Sequence, residues 1–200
     1  MTELYLVAPA DAGANAFAET LKAVLARTSV AALLLPRGGR SDADYESFVA
    51  AARPIAQAAG SAVLIEGEPK QAIDLGVDGL HVEGPLAAVK AAVAALKPNL
   101  IVGAGGIVSR HDAMAKGELG VDYIMFGPLL SGAVTPEVRD WAGWWAETME
   151  ISSILCDPET AAEAADAGGC EFLAIGDSFW RSADPVSAIA ALAARLESLS

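Results

Sequence analysis

The chain has 200 residues, of which 54% are hydrophobic and 20% are charged, and this composition excludes an intrinsically disordered protein. Its formal net charge of −13 argues against nucleic acid and anionic membrane surfaces as partners, because both bind densely basic faces. No apolar run approaches the roughly 20 residues of a membrane-spanning helix, and the first residues, MTELYLVAP, lack the basic region of a secretory signal. We therefore expect a cytoplasmic protein.

Short apolar runs recur along the chain at intervals of about 25 residues. Within each run the apolar residues are consecutive rather than alternating, which is typical of parallel strands that are buried on both faces. The runs are LYLVA from Leu4, ALLL from Ala32, AVLI from Ala62, GLHV from Gly79, LIVGA from Leu100, YIMFG from Tyr123, ISSIL from Ile151 and FLAIG from Phe172.

Alanine-rich stretches with helical spacing lie between these runs. Ser41 precedes one of them as a predicted N-cap, and the pairs Asp157–Pro158 and Asp184–Pro185 each place a cap before a proline at the first helical position. The segments with the strongest helical pattern are ANAFAETLKAVLAR, SDADYESFVAAARPIAQAAG, DPETAAEAADAGG and ADPVSAIAALAARLESL.

Eight strands that are each followed by a helix predict a single-domain (β/α)₈ TIM barrel over residues 1–200. The alternative is an open, doubly wound sheet. Regular units without a linker favour the closed barrel, and the short chain requires minimal loops because such barrels typically have about 250 residues.

Four stretches carry a resemblance to a known family: LYLV in the first strand, AIDLGVDGLHV before and in the fourth, GVDYIMFGPL in the sixth, and PETAAEAADAG after the seventh. In this order they resemble the thiamine phosphate synthase family and its sister group, the TenI-type thiazole tautomerases. The resemblance spans essentially the whole chain. It implies a (β/α)₈ barrel, ligands at the carboxyl ends of the strands, and the Mg²⁺-dependent joining of a pyrimidine pyrophosphate to a thiazole phosphate.

The chain departs from this family at most of its functional motifs. LLPRG at residues 34–38 stands where the family has Gln-Leu-Arg-x-Lys, and EGE at residues 66–68 replaces Asn-Asp-Arg. VEGPL at residues 82–86 replaces Leu-Gly-Gln-x-Asp, GAVT at residues 132–135 replaces Thr-x-x-Lys, and Ile-Leu at residues 154–155 replaces a glycine pair. The sequence therefore predicts a divergent member of the family with a rebuilt site.

Polar residues at the ends of the second, third and fourth strands are the candidates for that rebuilt site. Arg37 stands one position from the family's lost cation, and Glu66, Glu68 and Glu83 follow two adjacent strands. The three glutamates are predicted to bind a divalent ion such as Mg²⁺ or an amine such as a thiazolium or aminopyrimidine, or one of them to act as a base; the alternative is that they are solvated surface residues. His81 lies in the fourth strand in register with Glu83, and it is either a catalytic residue or part of the scaffold.

Two further segments are candidates for phosphate binding. The glycine-rich turn GAGGIVSRHDA places Gly105 and Gly106 just before a helix, where backbone amides can bind an anion. Ser178 and Arg181 follow the eighth strand, near the loops that often bind phosphate in this fold. For the first segment, a glycine cluster alone is a weak signal. For the second, Asp177 would repel phosphate, and the alternative is that Trp180 simply covers the end of the barrel.

Three functional hypotheses follow. The first is a divergent family member that binds a small thiamine-related or phosphorylated heterocycle, and the second is an active thiamine phosphate synthase that uses substitute residues. The third is a non-catalytic binding or regulatory barrel that acts through the helix DWAGWWAE. Trp141, Trp144 and Trp145 share one face of that helix, and this face is either core or an interface such as that of a homodimer.

Overall fold

All eight predicted strands are present in the computed structural model, which describes residues 2–162 and 164–198. They pair in parallel in the order of the chain, and β1 also pairs with β8, so that the sheet closes into a barrel. The prediction of a (β/α)₈ barrel is confirmed. The strands are β1 (Glu3–Val7), β2 (Ala32–Leu35), β3 (Ala62–Ile65), β4 (Gly79–Val82), β5 (Ile101–Ala104), β6 (Tyr123–Phe126), β7 (Ser152–Cys156) and β8 (Phe172–Ile175).

The helices lie outside the barrel, and two predicted caps are confirmed. Ser41 Oγ accepts a hydrogen bond from the Asp44 amide, and Asp184 Oδ1 accepts one from the Ser187 amide. Within the described ranges no helix is long and apolar enough to cross a bilayer. The helices are α1 (Ala14–Leu25), α2 (Asp42–Ala58), α3 (Pro69–Asp74), α4 (Leu86–Leu96), α5 (Arg110–Gly117), α6 (Pro136–Thr148), α7 (Asp177–Trp180) and α8 (Pro185–Ser198).

The predicted helix from Asp157 to Gly169 is wrong, because the described residues of that segment form turns. Asp157 does not cap a helix, since its carboxylate pairs with Arg139 at 2.6 Å. Glu159 instead accepts a hydrogen bond from the Gly132 amide at 2.8 Å. Tertiary contacts thus override the helical propensity of this alanine-rich stretch, and β8 is the strand followed by two helices, α7 and α8.

The strands are buried on both faces, as their continuous apolar runs predicted. One hydrophobic cluster fills the barrel interior, and a second lies between the barrel and the helices. The interior carries polar side chains as well: Tyr5 and Tyr123 belong to the inner cluster, and His81 is 2% exposed. The interior cluster consists of Tyr5, Val7, Ala32, Leu34, Leu64, Tyr123, Met125, Leu129, Ile154, Cys156 and Ala174.

The turn after β6 requires a glycine, because a side chain at this position would clash with the neighbouring strand β7. Gly127 has a φ of +99°, and a Cβ there would lie 2.2 Å from the Cys156 carbonyl oxygen. Gly132 has a similar φ of +106°, but a Cβ there would meet only Pro128 side-chain atoms, the nearest at 3.8 Å. The two glycines thus share a backbone conformation that would strain any other residue, and they differ in the steric contact that a side chain would make.

We expect Gly127→Ala to be strongly destabilising and Gly132→Ala to be its matched control. Backbone strain alone lowers the free energy of unfolding by about 1–2 kcal/mol, and the clash adds about 2 kcal/mol to the effect of Gly127→Ala. Chemical denaturation of the two variants beside the parent chain measures both effects. Equal losses of unfolding free energy in the two variants would contradict the expected clash with the Cys156 carbonyl.

Candidate functional site

The carboxyl ends of the strands form a polar mouth, and the predicted catalytic and phosphate-binding residues other than the buried His81 lie there. Arg37 follows β2, Glu66 follows β3, Glu83 follows β4, and Gly105 follows β5. Ser178 and Arg181 lie in and just after α7, which follows β8. Parallel strands bring these sequence-distant positions to one end of the barrel, the end at which barrel enzymes have their active sites.

Glu66 is fixed on the β2–β3 side of the mouth. Its Oε2 accepts a hydrogen bond from the backbone amide of Arg37 at 3.0 Å, and its own amide donates to the Tyr45 hydroxyl at 3.2 Å. Tyr45 in turn donates to the Leu35 carbonyl, which ties α2 to the ends of β2 and β3. The Arg37 guanidinium pairs with Asp42 instead of Glu66.

Glu83, His81 and the glycine-rich turn meet on the β4–β5 side. Glu83 Oε1 accepts a hydrogen bond from the Gly106 amide at 3.1 Å and lies 3.6 Å from His81 Nε2. A Cβ on Gly105 would lie 2.6 Å from that carboxylate oxygen and 2.7 Å from His81 Nε2. Gly105 therefore permits this close approach, and the turn already binds an anion, which is the protein's own Glu83.

The Glu83 carboxylate is ionised and partly accessible. Burial alone would raise its pKa, but His81, the Gly106 amide and the nearby Lys116 together hold the pKa below its usual value of 4.5. The Glu83 side chain is 30% exposed, whereas that of His81 is fully buried. Glu83 is thus the member of this group that a ligand in the mouth can contact.

Lys116 supports the glycine-rich turn from beneath, a role that the sequence reasoning missed. Its ammonium donates to the Gly105 carbonyl at 2.9 Å and to the Gly106 carbonyl at 3.3 Å, and it lies 3.1 Å from Asp112 Oδ2. The side chain is 3% exposed. The only signal for this role in the sequence is that Lys116 follows Asp112 by four residues. That spacing more often marks a solvent-exposed ion pair on a helix.

A chain of buried polar side chains extends from His81 down the barrel interior. His81 Nδ1 lies 2.9 Å from the Tyr123 hydroxyl, and that hydroxyl lies 3.1 Å from the Tyr5 hydroxyl. Burial raises the pKa of both tyrosines, so both remain neutral phenols. The Tyr123 ring occupies the space beside Gly103, where a Cβ would lie 1.9 Å from the ring.

The predicted phosphate-binding residues after β8 direct their donors to protein acceptors. The Ser178 amide donates to the Pro158 carbonyl at 3.1 Å, and its hydroxyl donates to the Thr160 carbonyl at 2.8 Å. Arg181 pairs with Asp177 and Asp11 at 2.9 and 2.8 Å. The phosphate-binding roles of Gly105, Gly106, Ser178 and Arg181 stay predictions.

A protein-held Mg²⁺ does not fit the carboxylates of the mouth. Glu66 and Glu83 each have one oxygen committed to a backbone amide. In the part of the chain that the structure describes, no three His, Cys, Asp or Glu side chains gather as a metal would require. Mg²⁺ prefers an octahedral set of oxygens, which these two carboxylates do not supply.

The tryptophans of α6 are partly explained by packing. Trp145 is buried against Phe126, and its indole N–H donates to the Ile151 carbonyl at 2.8 Å. Trp141 and Trp144 are half-buried, and the Arg110 guanidinium lies over the Trp144 ring. An interface on this face, including a homodimer interface, stays a prediction.

The fold and the mouth define a (β/α)₈ barrel protein with the carboxylates of Glu66 and Glu83 at the carboxyl ends of its strands. Residues 4–189 match the model of the thiamine monophosphate synthase family, and the chain belongs to this family. The resemblance inferred from the sequence motifs is thereby confirmed.

Individual relatives agree with this assignment. The chain is 34% identical to a thiamine-phosphate synthase of Hyphomonas neptunium, over 99% of this chain and 95% of the relative. It is 33% identical to a thiamine-phosphate synthase of Rhodospirillum centenum, over 94% of each chain. Among solved structures, thiamine phosphate pyrophosphorylase from Pyrococcus furiosus is similar with a TM-score of 0.81 and 16% identity, covering 98% of this chain and 96% of that one. That likeness shows the fold.

Proposed function

We propose that this chain binds a small, thiamine-related nitrogen heterocycle at the mouth of the barrel, with Glu83 as the residue that contacts the ring. One observation carries the proposal: the ionised Glu83 carboxylate is partly exposed and fixed on its inner side by the Gly106 amide and His81. Family membership supports the mouth as the ligand site.

The charge of Glu83 favours one class of ligand. A fixed carboxylate accepts hydrogen bonds from an aminopyrimidine and attracts a thiazolium cation. A free phosphate would be repelled by this carboxylate and by the net charge of −13. A phosphorylated ligand would therefore place its ring near Glu83 and its phosphate elsewhere in the mouth, where Ser178 and Arg181 are the predicted contacts.

The second candidate function is thiamine phosphate synthesis by substitute residues. The relatives from Hyphomonas neptunium and Rhodospirillum centenum favour it, because both are named thiamine-phosphate synthases and match nearly the whole chain. Arg37 would then stand in for the family's lost cation, and Glu66 and Glu83 for its lost metal ligands. The committed carboxylate oxygens and the pairing of Arg37 with Asp42 make ligand binding the better-supported function.

Calorimetric titration and a pyrophosphate assay on the same samples separate the two functions. The protein is titrated with thiamine phosphate, thiazole phosphate and aminopyrimidine pyrophosphate, with and without Mg²⁺. We expect saturable binding of thiamine phosphate without a Mg²⁺ requirement. Release of pyrophosphate from the two substrates together, dependent on Mg²⁺, would replace our proposal with the synthase function. No binding of any of the three compounds would reject both.

A further inference from the structure

The buried chain of Tyr5, Tyr123 and His81 has a direction that hydrogen-bond accounting determines. The hydroxyl of Tyr123 has two partners, the Tyr5 hydroxyl and His81 Nδ1. If Tyr5 donates to Tyr123 and Tyr123 donates to Nδ1, the protons of both tyrosine hydroxyls are used. The proton of the neutral imidazole then lies on Nε2, which makes no hydrogen bond among the described residues but faces the Glu83 carboxylate oxygen 3.6 Å away.

The reverse direction leaves two unfavourable groups. Nδ1 would donate to Tyr123 and Tyr123 to Tyr5, so the Tyr5 proton would have no acceptor among the hydrogen bonds of the described residues. The lone pair of Nε2 would also face the negatively charged Glu83 oxygen. Among the described residues Nε2 lacks a hydrogen bond in either direction, but the reverse direction adds the unsatisfied Tyr5 donor and turns an attractive contact with Glu83 into a repulsive one. Both changes cost free energy, so the first direction is favoured.

We propose that Tyr123, with Tyr5 as its hydrogen-bond donor, is a positioning residue that holds His81 as the Nε2-protonated tautomer, and that His81 in turn orients Glu83 at the mouth. None of the three buried side chains needs to touch the ligand, because Glu83 is the accessible member. The expected effect of His81 on ligand binding rests on the proposed function, whereas the assignment of the His81 tautomer does not.

Other charged and titratable groups face Glu83 from the neighbouring elements. Lys116 of α5 stabilises its ionised form, and the buried Cys156 thiol of β7 stays protonated because burial raises the pKa of that thiol. Asp112 is paired with Lys116 and does not contact Glu83 directly. Among the described neighbours of Glu83, the imidazole is therefore the group whose contribution changes sign with the tautomer.

Tyr123→Phe tests this inference, with Tyr45→Phe as the matched control. Both substitutions remove one buried hydroxyl, but Tyr45 contacts Glu66 and Leu35 instead of His81. The first readout is ¹⁵N NMR of the His81 ring at pH 8, where an ordinary imidazole is neutral. We expect the Nε2-protonated tautomer in the parent and in Tyr45→Phe, and loss of that single tautomer in Tyr123→Phe. Tyr5→Phe should retain it, since Tyr123 still donates to Nδ1.

The second readout is the affinity for thiamine phosphate at the same pH of 8. In Tyr123→Phe we expect weaker binding than in the parent and in Tyr45→Phe, because the imidazole no longer holds its proton toward the Glu83 carboxylate and no longer orients it. A parent protein with the proton on Nδ1, or a single Nε2-protonated tautomer in Tyr123→Phe, would overturn the inference. Failure of the parent to bind thiamine phosphate would reject only the proposed function, because the ring spectra still decide the tautomer.

Discussion

Glu83→Gln is expected to weaken the binding of thiamine phosphate by at least about tenfold. The amide keeps the shape of the side chain and can still accept the Gly106 hydrogen bond, but it loses the negative charge that faces the ring. Hydrogen bonds to charged groups contribute about 1.5–3 kcal/mol, and about 1.4 kcal/mol corresponds to a factor of ten in affinity. Calorimetry at neutral pH measures the difference.

Glu68→Gln is the control for this substitution. Glu68 is an exposed glutamate at the same end of the barrel, so its substitution changes the net charge equally without touching the Glu83 group. We expect its affinity to match that of the parent. Equal weakening in both variants would mean that general electrostatics, and not a contact with Glu83, governs binding.

Lys116→Met is expected to lower the free energy of unfolding by about 3 kcal/mol. The substitution keeps the length of the side chain but leaves the carbonyls of Gly105 and Gly106 without their buried donor and Asp112 without its cation. Because the glycine-rich turn holds Glu83 through the Gly106 amide, ligand affinity should fall as well.

The matched control is Lys70→Met. Lys70 pairs with Asp74 four residues later, as Lys116 pairs with Asp112 four residues earlier, but Lys70 is exposed. Exposed pairs contribute little to stability, so the denaturation midpoint of this variant should stay near that of the parent. A Lys116→Met midpoint equal to that of the parent would show that the turn does not depend on the buried ammonium.

The barrel was predictable from the sequence because the strands carry a strong local signal. Parallel strands that are buried on both faces need continuous apolar runs, and the runs from Leu4, Ala32 and Tyr123 lie within or overlap strands β1, β2 and β6. The helix after β7 was mispredicted for the opposite reason. Alanine and a proline-preceding aspartate have local helical preferences, but Asp157 and Glu159 make contacts with Arg139 and Gly132 that only the folded chain brings near.

The positions of the site residues were predictable, whereas their partners were not. Strand ends in a parallel barrel converge, so the placement of Glu66, Glu83 and Gly105 at one mouth follows from the order of the strands. That the Arg37 side chain pairs with Asp42 depends on side-chain geometry. The Tyr5–Tyr123–His81 chain joins residues that are as many as 118 positions apart. In the sequence, each of the three lies in an apolar strand and would be interpreted as a core residue.

The amide resonance of Gly106 provides the most direct test of a ligand site at Glu83. This amide donates to Glu83 Oε1 at 3.1 Å, so any ligand that contacts the carboxylate changes the chemical environment of its proton. In a ¹H–¹⁵N NMR titration with thiamine phosphate, we expect a saturable shift of Gly106 in the parent and a much weaker response in Glu83→Gln. Saturable shifts confined to residues away from the β4–β5 side of the mouth, with Gly106 unchanged, would contradict it.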